Sequence, residues 1–252
     1  MSTKRDFVPA SLQKQVVESL GVRIITGEIP AGTALSMDVL SQELNVSRSV
    51  VREAMGILAS LGLVISHKRA GTIVQPNTNW DALSPQVIWW RLDDPKQRMN
   101  QFRSLVEMRI AFEPLAAALA AERASDEQAE HLMGVARRLE KAGRQGDQAT
   151  YLVHDKVFHS LVLTLSDNHL FANLQFGIEE ILEGRHAYGY VPRWPNFDAV
   201  DWHINIAEAV VAHDPEAAYR YALAIARRSA ADVGLSDMLN PMGFSASQPV
   251  LD

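Results

Sequence analysis

The stretch LVHDKVFHSLVL, residues 152–163, sets one carboxylate and two histidines inside an apolar run. Read as a helix, it places Asp155 and His159 four residues apart, on one face with Leu152 and Val162. An apolar face packs into a core, and a core resists an unpaired carboxylate. One oxygen and one nitrogen on adjacent turns can converge on a divalent metal. The same two side chains can also form a buried hydrogen-bonded pair without metal, and the spacing leaves both readings open. His154 lies about 100° around the helix from Asp155 and is set aside as a ligand. His131, His169 and His213 fall at helix surfaces or ends and read as solvated.

Arg109, in SLVEMRIAFEPLAAA, shares a helical face with Leu105, Phe112 and Ala116. A buried guanidinium needs an anion. That anion is either the carboxylate of a bound ligand, clamped in bidentate fashion, or Glu113 one turn on. Arg185 and His186, in EEILEGRHAYGY, are candidates to line the same cavity.

The elements that position these residues are helical from about residue 96 onward. The periodicity predicts helices at 96–123, 126–143, 147–165, 168–189, 197–212 and 215–234. Ser125 with Gln128 resembles a capping box, Asp167 or Asn168 can cap the fourth helix, and Asp214-Pro215-Glu216 opens the last. No strand-like alternation interrupts them, so an all-α bundle is expected over 96–236. The remaining residues, 237–252, are expected to form a flexible tail.

The first 76 residues differ. Leu12, Val16, Leu20 and Ile24 mark a helix over 11–26, which GEIPAG ends. A short helix near 37–44 follows Ser36, and Ser47 caps a longer one that stops near Gly62. LVISHKRAGTIVQ, 63–75, reads as two short strands joined by a basic turn. Three helices with a tight turn between the second and third, followed by a β-hairpin, describe a winged helix-turn-helix. The third helix begins with Ser47, Arg48, Ser49 and Arg52, a set that can enter a DNA major groove. His67, Lys68 and Arg69 at the hairpin tip, with Gly71 and Thr72 beside them, would lie along the adjacent backbone or minor groove. Residues 77–95 read as a linker that holds three of the five tryptophans, Trp80, Trp89 and Trp90. So much apolar area is expected to pack against one of the two domains.

Composition agrees with this division. Apolar residues make up 47% of the 252, enough for a proper core. There is no cysteine, which excludes disulfides and thiolate metal sites and fits a reducing cytoplasm. No signal peptide or membrane span is expected. The overall charge of −6 hides an asymmetry: residues 1–76 carry eight Lys/Arg and six Asp/Glu, whereas the rest of the chain is acidic.

VSRSVVREAMGILASLGLV (46–64) followed by KRAGTIV (68–74) resembles the DNA-binding domain of GntR-type bacterial repressors. D-x-x-F-H (155–159), H-x-x-I-x-E-A-V (203–210) and DPEAA (214–218) resemble the FCD-type ligand-binding domain of the FadR subgroup. NWDALSPQVIWW (79–90) is similar to the same region of galactonate-operon repressors in that subgroup. The resemblance implies a homodimer on an operator, with a divalent metal held by Asp155, His159 and His203. Zinc is the first candidate for that metal and nickel or manganese the alternatives. It also implies a small carboxylate effector, a galactonate-like sugar acid or other hexonate, met by Arg109, Arg185 and His186. Two positions depart from the pattern. Asp38 stands where many relatives have a phosphate-contacting arginine, and Ile225 where many have a further histidine ligand.

The expected function is therefore a ligand-responsive repressor rather than an enzyme. A metal hydrolase or isomerase would need a general base beside a metal-bound water, and no HExxH-like arrangement occurs. A constitutive DNA-binding dimer without effector is the remaining alternative.

Overall fold

The structure is a computed structural model. It describes residues 11–67, 71–191 and 197–235, and divides into two compact units, one up to Arg98 and one from Met99.

In the first unit, α1 (Leu12–Ile25) starts at Ser11, whose hydroxyl accepts the Lys14 amide, and buries Val16, Val17, Leu20 and Ile24. α2 (Met37–Glu43) and α3 (Arg48–Ser60) are capped by Ser36 and Ser47. Asn45, at φ 51°, makes the turn between them, a backbone that Asn tolerates better than most residues. α3 buries Val51, Ala54, Met55 and Leu58, a helical stripe that leaves Arg48 and Arg52 on the outside. The expected strands are present as β2 (Val64–His67) and β3 (Gly71–Val74). A further strand, β1 (Ala34–Leu35), completes an antiparallel sheet in the order β1-β3-β2, with Ala34 opposite Ile73 and His67 opposite Gly71. Two residues are too few to show a period, so sequence patterning misses β1. Lys68 and Arg69 lie outside the described residues.

The Trp-rich segment continues this unit. One 3-10 turn, Asn77–Asn79, precedes α4 (Pro85–Asp93). Val87 and Trp90 of α4 join the core formed by α1 and α3, with Trp80 packed at its edge.

The second unit is all helical: α5 (Arg98–Arg123), α6 (Asp126–Gln145), α7 (Gln148–Leu165), α8 (His169–Asn173), α9 (Gln175–Ala187), α10 (Phe197–Val211) and α11 (Pro215–Asp232). Ser125 and Gln128 form the reciprocal capping box, and Asp147, Asn168 and Asp214 cap α7, α8 and α11. Leu132, Leu139, Phe158, Val162, Ile206 and Val210 fill its core. The single helix expected over 168–189 breaks at Leu174. Its amide bonds back to Phe171 and the Gly177 amide bonds to Leu174, so the chain makes i→i−3 turns there. The expected tail, 237–252, lies outside the described residues.

Candidate metal centre and nucleic-acid interface

α7 places Asp155 and His159 one turn apart on its buried face, and α10 brings His203 to the same point. All three are buried, and their ligand atoms lie within 4.8 Å of one another. His203 Nε2 is 3.1 Å from Asp155 Oδ1, and His159 Nε2 is 3.5 Å from the same oxygen.

The outer ring nitrogens fix what the inner ones present. His203 Nδ1 is 2.6 Å from the Ala199 carbonyl oxygen, which can only accept, so Nδ1 carries the hydrogen. His159 Nδ1 faces Glu113 Oε2 at 3.3 Å. On a neutral ring each Nε2 then carries a lone pair: that of His203 faces the cluster, and that of His159 also meets Arg109 Nη2 at 3.4 Å. Asp155 Oδ1 and His203 Nε2 are both buried without a hydrogen-bond partner despite their 3.1 Å separation. Two ring nitrogens and a carboxylate oxygen gathered within a buried cluster fit a divalent cation of the zinc, nickel or manganese type.

Charge is concentrated behind this point. Burial opposes ionisation of Glu113, but the charges of Arg109 and His159 outweigh it and hold the carboxyl at about 2. Burial likewise opposes ionisation of Asp155, yet the imidazoles of His159 and His203 facing it hold its carboxyl well below the usual range. For His159, burial lowers the pKa, while the charge of Glu113 and the facing Asp155 carboxylate raise it to a net increase.

Arg109 is fully buried. Its Nε donates to Glu113 Oε1 at 2.6 Å, Nη2 to Glu113 Oε2 at 3.1 Å, and Nη1 to Ser229 Oγ at 3.2 Å. The bidentate clamp is present, and its partner is Glu113. An effector carboxylate would have to share this guanidinium. Sequence reading names Glu113 only as the partner of Arg109 and misses its second bond, to His159. No periodicity signals that bond, because it joins α5 to α7.

The cluster opens on a cavity lined also by Tyr151, Arg185, His186, Ile225, Arg228 and Asp232. Arg185 and His186 are both among the residues that line it, and burial lowers the pKa of each. Arg185 Nη2 donates to Asp232 Oδ2 at 2.6 Å, and Arg228 Nε to Asp232 Oδ1 at 3.0 Å. Arg228 and Asp232 join the wall from α11, and their i,i+4 spacing on that helix is the signal in the sequence that marks them as a pair. Ile225 forms an apolar part of the wall.

On the first unit, Ser47 is engaged as a cap, with its hydroxyl 2.8 Å from that of Ser49. Arg48 and Arg52 are exposed, and Arg48 is ion-paired with Asp38 of α2. His67 and Gly71 are exposed at the wing. Thr72 differs from expectation: it is buried, and its hydroxyl lies 3.0 Å from that of Ser66 across the hairpin. This packs its side chain against Ser66 on one face of the sheet, so little of Thr72 itself is left to meet DNA.

The family model "Bacterial regulatory proteins, gntR family" matches residues 12–74, and the "FCD domain" model matches residues 104–228. The HTH-type transcriptional regulator LutR of Bacillus subtilis is 30% identical over 166 residues, 63% of this chain and 70% of that protein. An HTH-type transcriptional regulator of Escherichia coli, YieP, is 27% identical over 230 residues, 90% of this chain and 97% of its own. The galactonate operon transcriptional repressor of the same species is 27% identical over 173 residues, 66% of this chain and 72% of its own.

Proposed function

We propose, for a chain that belongs to the GntR family of bacterial regulators and carries an FCD domain, that it represses a sugar-acid catabolic operon and releases its operator when a carboxylate effector binds. Membership of the family makes it a DNA-binding transcriptional regulator and not an enzyme. The observation that carries the finer reading is the pair of buried, unpartnered atoms Asp155 Oδ1 and His203 Nε2, beside a cavity that arginines line.

In this reading Asp155, His159 and His203 hold a divalent metal, zinc before nickel or manganese. Bound there, the metal would offer open coordination positions to a carboxylate. Arg109 and Glu113 hold His159 in orientation, and Arg185 and His186 face the rest of the effector. A galactonate-like acid or other hexonate is supported by the similarity to the galactonate operon repressor. Two copies would set two α3 helices on half-sites of a near-palindromic operator. Arg48 and Arg52 would meet the major groove, with His67, Lys68 and Arg69 beside it. No described helix is long and apolar enough to cross a membrane, and a repressor acting on DNA would work in the cytoplasm.

An effector releases DNA only if its affinity differs between the bound and free arrangements. The test is operator affinity of the metal-loaded protein with and without a panel of aldonic and uronic acids. A fall in affinity with one of them is the expected result, and an unchanged affinity across the panel overturns the proposal.

A further inference from the structure

We propose that Arg185 and Arg228 form a second anion subsite, held in this structure by the carboxylate of Asp232, and that the effector is a sugar acid with two anionic groups. The inference rests on the metal-and-carboxylate reading above and narrows its ligand class.

Asp232 is bonded from two helices at once: Oδ2 receives Arg185 Nη2 of α9 at 2.6 Å, and Oδ1 receives Arg228 Nε of its own helix at 3.0 Å. Two guanidiniums converging on one carboxylate is the donor set that recognises a carboxylate or a phosphate. Asp232 is also the last residue of α11, where the helix dipole disfavours negative charge. The two arginines are what hold it there, so an external anion that takes both of them releases a group suited to water.

The charge balance of the cavity points the same way. Arg109, Arg185 and Arg228 are matched by Glu113, Asp155 and Asp232. The protein groups therefore cancel, and a divalent metal on Asp155 with two neutral histidines leaves the cavity with two uncompensated positive charges. Buried charge is costly unless paired. A monocarboxylate neutralises one, and a dianion neutralises both. The lining on α7 runs from Gln148 to His159, a helical span of about 16 Å. The metal ligands Asp155 and His159 occupy the far part of that stripe.

The experiment is calorimetric titration of the zinc-loaded full chain with galactarate, 6-phosphogluconate and galactonate, with bound metal measured on the same samples. At least one of the two acids that carry a second anionic group (dianions in the sense of those two groups, although the phosphate itself bears up to about two charges) is expected to bind about tenfold or more tightly than galactonate, the step one added charge-assisted bond supplies. Galactarate alone would identify a second carboxylate, and 6-phosphogluconate alone a phosphate. Arg228→Gln, at a partly exposed position, is expected to weaken the preferred dianion about tenfold and leave galactonate within about twofold. Arg228→Lys should retain part of the preference, because it keeps the charge and loses the fork. Metal-loaded wild type that binds galactonate as tightly as both dianions overturns this inference alone, and needs no variant to fold. Wild type that takes up no metal overturns the reading beneath it as well.

Discussion

Trp90 of α4 lies across Gly21 of α1 with no space for a side chain: a β-carbon on Gly21 would stand 2.2 Å from Cη2 of the indole and 2.5 Å from Cζ2. In an open helix, alanine in place of glycine adds roughly 1 kcal/mol. Here the added methyl must displace a buried ring or shift α4 from α1, and such overpacking costs about 1–3 kcal/mol. Gly21→Ala should therefore lower the melting temperature instead of raising it. Thermal unfolding followed by tryptophan fluorescence checks this, and a rise would show that α4 is not docked on α1.

That contact also shows what the sequence could and could not reveal. NWDALSPQVIWW is conspicuous for its tryptophans, and its need for a packing partner followed from apolar area alone. Its choice of α1 did not, because Gly21 becomes a docking surface only when the two helices meet. The same limit applies to the site. Asp155 and His159 were legible because four residues bring them to one helical face. The third partner of His159, Glu113, lies on another helix, and no spacing links residue 113 to residue 159. Arg109 was legible as a buried cation, while the owner of its anion was a question of geometry. The break at Leu174 was hidden because residues on both sides of it keep a helical period.

Asp38 stands beside the start of the proposed recognition helix and is ion-paired with Arg48. Both side chains are more than half exposed, so the pair adds little to stability. Its effect should appear on DNA, where Asp38 occupies one arginine and brings a negative charge toward phosphates. Asp38→Arg frees Arg48 and adds a phosphate contact. The plot of log affinity against log salt should steepen by about one unit, with non-specific DNA gaining most. Anisotropy titrations at several salt concentrations measure this, and an unchanged slope would place α2 away from the backbone.

Glu113 receives Arg109 and faces His159 Nδ1 at 3.3 Å. A carboxylate behind a metal-bound histidine fixes its tautomer and raises its basicity. Glu113→Gln keeps the shape and removes the charge, so metal affinity should fall about 10–100-fold. Buried Arg109 also loses its counter-charge, which should lower the melting temperature of the metal-free protein. Competition against a chromophoric chelator reads the first effect. Unchanged metal affinity together with a lower melting temperature would reduce Glu113 to a purely structural partner of Arg109.

His213, in the turn before α11, ties that turn to the end of α5. Its Nδ1 lies 2.9 Å from the Ala121 carbonyl oxygen and its Nε2 3.3 Å from Asp126. The Ala121 carbonyl first and the Asp126 carboxylate second raise its pKa above the ordinary histidine value. A group with a raised folded pKa stabilises fully below its unfolded value, and that contribution fades as pH rises through the folded value. The wild type should thus lose melting temperature relative to His213→Ala as pH increases through and above about 6.5. Parallel melting curves from pH 5 to pH 9 test the sign, and a gap that widens with pH would contradict it.

Ile225 lines the cavity beside Asp155, His159 and His203 and is buried at 6% exposure. The proposed centre therefore has three protein ligands, with effector oxygens left to complete the shell. Ile225→His tests whether that incompleteness is real. A histidine there should supply a fourth ligand and raise metal affinity about tenfold or more, since one coordinate bond within a formed site exceeds about 1.4 kcal/mol. The metal-free variant should be less stable, because it buries an unpaired imidazole in place of an apolar side chain at a cost of about 1–3 kcal/mol, and added zinc should recover that loss. Effector binding should weaken as the new ligand takes a coordination position the acid would use. If zinc neither binds more tightly nor restores the melting temperature, Ile225 does not face the metal.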